Sequence, residues 1–259
     1  MNRSPSVAAL ARPLRALRLG LHFALALSPS AALAGSGDAV LAQVDAALNR
    51  ASDTTSRMSA ETNIPGQAPL KMEFTLETKG PKRMVEFHAP GDMKGTRVLV
   101  LDRRQMYVYL PAYNKVRRIA SHVNSQGFMG TMFADADMST TRFGEAYAAE
   151  LKGETEAGWT LSLSPKPGEE TAYARLEIDV SKQNTLPTTI RYYDAKGTHL
   201  KTEVRSQYVC EAQVCQPGHF KMTDHTRKDA STVLIQKMEK MNSGLNDERF
   251  SQRALQQGR

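Results

Sequence analysis

Beyond Ser56, polar and apolar residues alternate with a period of two through most of the chain. In LKMEFTLET, Met72, Phe74 and Leu76 alternate with Lys71, Glu73 and Thr75; in ARLEIDV, Leu176, Ile178 and Val180 alternate with Arg175, Glu177 and Asp179. In HLKTEVRSQYVC the same rule puts Leu200, Thr202, Val204 and Tyr208 on an apolar face and Lys201, Glu203, Arg205 and Gln207 on a wet one. Successive side chains of a strand point to opposite faces, so this pattern marks antiparallel sheet with one side in water. Turn residues fall between the runs, in KGPK at 79–82, PAYN at 111–114, KPGEE at 166–170 and DAKG at 194–197. The pattern predicts about ten to twelve strands with no strand–helix alternation, which excludes a parallel α/β fold. So many strands limit their exposed edges by curling, giving a mainly β chain: a strongly curved antiparallel sheet or half-open barrel with a few helices.

Three stretches depart from the strand rhythm. In DAVLAQVDAALNR, Val40, Leu41, Val44 and Leu48 recur at helical spacing, with Asp38 at the start and Arg50 at the end. LNDERFSQRALQQ predicts a short closing helix capped by Asn246 or Asp247. Between them, the segment from Phe128 to Met138 predicts one helix whose stripe carries Phe128, Met129, Met132, Phe133 and Ala136, with Gly127 and Gly130 near its start. Such a helix is either core packing or a lid over a cavity, and packing is the default.

The first 34 residues read as a secretory leader. Arg3, Arg12, Arg15 and Arg18 precede a short apolar run, Leu19 to Leu27, and Ala32-Leu33-Ala34 is a small-x-small cleavage site. The run is too short to cross a bilayer, which takes about 20 residues. Cleavage after Ala34 leaves a single domain, 35–259, destined for the periplasm. It also removes four arginines and no acid, so the formal net charge falls from +7 to +3. A nucleic-acid binder keeps a concentrated basic face, and this chain does not.

Cys210 and Cys215 lie at a predicted turn in YVCEAQVCQPG, and an exported pair so close reads as a local disulfide. The alternative is a metal site using both cysteines with His219 and His225. No G-x-S-x-G, S-x-x-K, H-E-x-x-H, Walker or C-x-x-C motif is present. His88, His122, His199, His219 and His225 are otherwise scattered, so the sequence points away from catalysis and implies no cofactor.

Between Ala89 and Met138 three spaced blocks occur in order: Lys94-Gly95-Thr96; Tyr109-Leu110-Pro111 with Lys115 and Val116-Arg117-Arg118-Ile119; and Phe128-Met129-Gly130 with Phe133 and Asp137. This stretch resembles the LolA-like outer-membrane lipoprotein-sorting family, and most the branch found beside RND-type (MMPL-like) exporters. The resemblance implies a half-open barrel whose concave face is plugged by short helices, and a hydrophobic ligand. The family commonly continues Gly-Ser-Asp where this chain has Gly130-Thr131-Met132. It often places an aromatic-acidic pair where this chain has Asp135-Ala136. Both departures fall on the proposed lid and bear on which ligand is bound.

A carrier is chemically consistent with the composition. A long acyl chain in water costs on the order of 10 kcal/mol, at about 0.8 per methylene, so its carrier needs an enclosed apolar cavity. Met72, Phe74 and Met106 from strands, with Phe128, Met129, Met132 and Phe133, are the expected cavity or lid residues, although methionines also fill ordinary cores. One of Arg117 and Arg118, as neighbours on a strand, must face the apolar side, and a buried guanidinium needs a partner. Asp135 or Asp137 would make that arginine a latch; a short or bulged strand with both arginines in solvent is the alternative. The expected partners are a lipid or lipoprotein acyl chain and an RND/MMPL-type transporter, with the protein a monomer. A fixed exporter subunit that carries nothing is the competing reading.

Overall fold

The computed structural model describes residues 31–119 and 127–258. The expected leader lies mostly outside them, as does His122. Helix α1 (Ala31–Leu48) passes through the expected cleavage site and ends two residues before Arg50. Thirteen strands follow: β1 (Asp53–Asn63), β2 (Leu70–Lys79), β3 (Lys82–Ala89), β4 (Arg97–Asp102), β5 (Gln105–Leu110), β6 (Lys115–Ile119), β7 (Tyr147–Glu154), β8 (Gly158–Pro165), β9 (Arg175–Ser181), β10 (Pro187–Tyr193), β11 (His199–Glu211), β12 (Val214–Asp224) and β13 (Ala230–Met241). Helix α2 (Asp135–Ser139) stands between β6 and β7, and α3 (Gln252–Gln257) closes the chain. No described helix is long and apolar enough to cross a membrane.

All thirteen strands form one antiparallel, curved, open sheet in the order β6-β5-β4-β3-β2-β1-β13-β12-β11-β10-β9-β8-β7, one strand more than the largest predicted number. The meander is interrupted once, where β1 meets β13 and joins two runs of consecutive hairpins. Register sets the apolar alternates opposite each other: Met58 faces Phe74, Val98 faces Val108, and Ile178 faces Ile190. These residues belong to one core on the inner face. A smaller core lies on the other face, where Met84 and Leu99 pack against Phe250 and Leu255 of the C-terminal tail. The tail is helical but in two pieces: Asn246 caps a 3₁₀ turn, Asp247–Phe250, accepting from Glu248 N at 3.0 Å, while Ser251 and not the expected Asn246 or Asp247 caps α3.

The chain from 127 to 139 reveals the curvature. Met132 N donates to Thr232 Oγ1 of β13, Lys201 of β11 donates to Met132 O, and Phe128 packs with its ring tilted against Phe87 of β3. β3 and β11 are five strands apart, about 24 Å across a flat sheet at the usual spacing. A short segment touching both on one face lies in a concavity.

That segment is not the single helix predicted. Phe128–Gly130 is a 3₁₀ turn in which Met129 and Gly130 adopt left-handed φ of 50° and 82°, a geometry no continuous α-helix tolerates. Phe128 N then donates to Phe133 O at 2.6 Å, closing a tight loop, and only Asp135–Ser139 is α-helical. Phe128, Met132, Phe133 and Ala136 are nevertheless all buried, so the apolar spacing is used by a different backbone.

Strand β11 carries a second correction. The residues placed on its wet face are the ones turned inward: Lys201 and Glu203 are buried, while Val204 is 42% exposed. The neighbours decide this. Ile190 and Tyr192 of β10, and Met222 of β12, fill the inner face, and pairing with them fixes β11 in the register that points Glu203 in. A one-residue slip would reverse every side chain of the strand.

Candidate ligand-binding site

A partly open cavity of about 230 Å³ lies between the concave face, the end of α1 and the segment carrying α2. Its walls differ in character. Met58 and Phe74 from β1 and β2, Phe133 from the loop, and Phe220 and Leu234 from β12 and β13 are apolar. Arg83, Asp137, Glu203, Arg205, Tyr173 and Tyr192 make the polar end.

The polar groups are held by one another. Arg205 Nε donates to Glu203 Oε1 at 2.7 Å and the Tyr192 hydroxyl to Oε2 at 2.7 Å, so both carboxylate oxygens are engaged. The Tyr173 hydroxyl donates to Asp137 Oδ2 at 3.2 Å, and its ring tilts against Tyr192 at 4.7 Å between centroids. Arg83 Nη1 donates to Met138 O at 2.5 Å, tying β3 to the end of α2. The Arg205 guanidinium lies 5.7 Å over the Phe220 ring. At the rim Arg103 pairs with Glu169.

Ionisation follows from this burial. Desolvation, with Glu203 adding to it, raises Asp137 to about 6 against the pull of Lys201 and the bond from Ala134 N. Loss of water pushes Arg83 down to about 10, helped by the Arg205 charge. Arg205 moves up: burial opposes its charge, but Glu203 outweighs that cost. Burial drives Tyr147 up to about 12 and holds Tyr173 and Tyr192 well above the ordinary phenol range, so all three serve as neutral hydrogen-bonding groups.

Of the residues expected at a cavity, Phe74 and Phe133 line it. Met72, Met106, Phe128 and Met132 are packed in the core and Met129 is half-buried against it. The arginine latch is not formed by the residues proposed for it. Arg117 and Arg118 are both exposed on β6, an edge strand, and among the described residues Arg118 bonds Arg104 O, at 3.3 Å. Asp137 instead accepts from Ala134 N at 2.7 Å and from Tyr173, while Asp135 is buried in the first turn of α2. Arg83 reaches α2, through Met138 O.

Cys210 and Cys215 are bonded to each other across the β11–β12 hairpin, where they pair directly in register. The zinc alternative falls with that bond. His219 lies beside Ser206, His225 contacts Asp229 and Thr202, and no described group of residues could hold a metal.

Arg83, Glu203, Arg205, Tyr173 and Tyr192 were not singled out by the sequence. Their only trace was three ionisable residues at alternate positions of β11, and a period-two pattern does not say which of its two sets faces inward.

A family model described as "uncharacterized protein" matches residues 79–257. Among solved structures, a DUF1329 family protein from Desulfovibrio piger is similar, at 25% identity over 86% of this chain and 99% of that one, with a TM-score of 0.79. A domain described as an outer membrane lipoprotein-sorting protein, from Vibrio parahaemolyticus, shares the fold at 24% identity, over 86% of this chain and 100% of that one, with a TM-score of 0.78. A LolA superfamily protein from Nitrosomonas europaea shares it at 18% identity, over 83% and 97%, with a TM-score of 0.69. No curated protein matches the sequence. The model spans most of the chain, so this protein belongs to that uncharacterized family, and it shares its fold with the LolA superfamily structure.

Proposed function

We propose that the protein is a non-enzymatic periplasmic carrier that shields a lipid or lipoprotein acyl chain in its concave cavity on the way toward the outer membrane. The observation that carries this reading is the cavity itself. It has an apolar wall on the inner face of the sheet, and its cover, residues 127–139, is held by buried side chains and hydrogen bonds rather than by pairing into the sheet. The similarity to a lipoprotein-sorting domain and a LolA superfamily protein supports the same cargo class. The reading includes removal of the leader after Ala34, which leaves Gly37 and Asp38 in the mature chain. It also includes an RND/MMPL-type transporter as the inner-membrane partner, on the resemblance of the 89–138 blocks alone.

One observation favours the competing reading, a fixed transporter subunit that carries nothing. The cavity is smaller than the ~300–1,000 Å³ usual for ligand pockets. Under the carrier reading the segment 127–139 shifts outward when cargo enters. Native mass spectrometry of protein purified from its own periplasm separates the two. Co-purified lipid or acyl peptide supports the carrier. An empty protein in a stable stoichiometric complex with a membrane transporter supports the subunit.

A further inference from the structure

The polar end of the cavity is more than a bare acyl chain requires. A guanidinium carries five N–H donors, and a desolvated one is costly unless they are used. Arg205 has Glu203 as its ion-pair partner. Arg83 has the carbonyl of Met138 but no carboxylate within ion-pair distance among the described residues. Both arginines line the cavity, close enough for the Arg205 charge to act on Arg83. Around them Lys201 adds a third positive charge, with its ammonium on Met132 O at 3.0 Å. The negative side is Glu203, whose oxygens are both occupied, and Asp137, which Tyr173 and Ala134 N bind. The chamber is cationic on balance, and its one arginine without an anion faces the space a ligand would enter.

We propose that this polar end is a headgroup site, in which Arg83, with Arg205 beside it, receives the carboxylate or phosphate of an anionic amphiphile whose alkyl chain lies along Phe74, Phe133 and Leu234. The proposal rests on the carrier reading and narrows its cargo from acyl chains in general to those bearing an anionic group. The planar fork of a guanidinium matches the paired oxygens of either anion. Tyr173 and Tyr192 bind oxygens of Asp137 and Glu203, and the Arg205 charge offsets that of Glu203. Binding would supply Arg83 with the counter-ion it lacks, so the headgroup is held more tightly in the cavity than in water-exposed settings.

The test is displacement of the neutral fluorophore N-phenyl-1-naphthylamine from the full mature chain at pH 8, by palmitate, hexadecyl phosphate and hexadecan-1-ol. One or both anions should compete at concentrations about tenfold or more below the alcohol, and which of them wins identifies the headgroup. In Arg83→Gln the anions should lose their advantage, so that the ratio of anion to alcohol affinity falls to about one. Arg83→Lys, keeping charge without the fork, should retain part of that advantage. Equal competition by all three ligands in the parent protein overturns the headgroup site and leaves the carrier reading standing. No binding of the fluorophore or of any ligand overturns both. An undiminished preference in folded Arg83→Gln overturns the role of Arg83, and if that variant does not fold, the parent's ranking and Arg83→Lys decide.

Discussion

Asp137 shows what the cavity does to a single carboxyl. Tyr173 and Ala134 N bind it, Lys201 attracts its charge, Glu203 repels it, and Tyr147 is near enough to feel it. Desolvation prevails and lifts it to about 6. A folded-state value above the unfolded one means the fold holds this proton more tightly, so the stabilisation is full below about pH 4 and fades as pH rises through 6. Asp137→Asn keeps an acceptor for Ala134 N and Tyr173 but cannot ionise. It should match the parent at pH 4 and exceed it at pH 7.5 by about 1 kcal/mol. That is well under the ~3 kcal/mol that a rise from 3.8 to about 6 represents, because water entering an open cavity screens the charge. Urea unfolding at the two pH values measures it, and a variant less stable than the parent at pH 7.5 would mean Asp137 works ionised. None of this was legible in the sequence, where Asp137 was one of two candidate latch partners. Its real neighbours come from β7, β10, β11 and the loop before β9, brought to it by sheet curvature.

At the scale of elements, legibility followed how far each one depends on others. The strands with a single apolar set, β2 and β9, were readable residue by residue, because hydrophobic burial and the period of two agree. Strand β11 has a weak apolar set, Leu200, Thr202 and Val204, so its register was decided by β10 and β12 and came out reversed. The 127–139 segment kept its predicted burial but lost its predicted helix, since positive φ at Met129 and Gly130 turns the chain back on itself. Its two phenylalanines now have separable roles. Phe128 packs with its ring tilted against Phe87 and does not line the cavity, whereas Phe133 forms part of the cavity wall. Phe128→Ala should therefore cost about 3 kcal/mol in unfolding free energy, with probe affinity of the folded protein little changed. Phe133→Ala should cost somewhat less, because one side of its ring already faces open space, and should alter probe binding directly. Melting curves and fluorophore titrations on the pair check this; equal effects of both changes on binding would mean the segment acts as one lid rather than as core plus wall.

At the scale of the whole molecule, a thirteen-stranded open sheet has two edges, each an invitation to pair with another chain. The β6 edge carries exposed Lys115, Arg117 and Arg118, which gives these arginines a physical reason unconnected with any latch: charges along an edge repel a second strand. The β7 edge carries exposed charges of mixed sign, Glu150, Lys152 and Glu154, and is covered by α1 near Ala149. Asp38 Oδ1 accepts from Ala149 N at 2.7 Å, capturing an edge amide. Gly37 lets the helix approach so closely that a Cβ there would stand 2.4 Å from Ala149 O, a backbone atom that cannot swing aside. Further along, Asp45 accepts from Phe143 N and Gly144 N at 2.8 Å, fastening the helix to the turn that leads into β7. Gly37→Ala must push α1 off the strand, loosening the Asp38 bond, and should cost about 1–3 kcal/mol, the range for an unpaired buried donor. It should also give species larger than the parent's by exposing the β7 edge. Asp38→Ala removes the hydrogen bond without the clash and should lose about 1 kcal/mol while keeping the parent's size, since the helix still covers the strand. Thermal unfolding with light scattering reads both variants. A Gly37→Ala protein that keeps its parent's size and melts like it would show that α1 rides on β7 without guarding it, and that this edge is protected by the curl of the sheet alone.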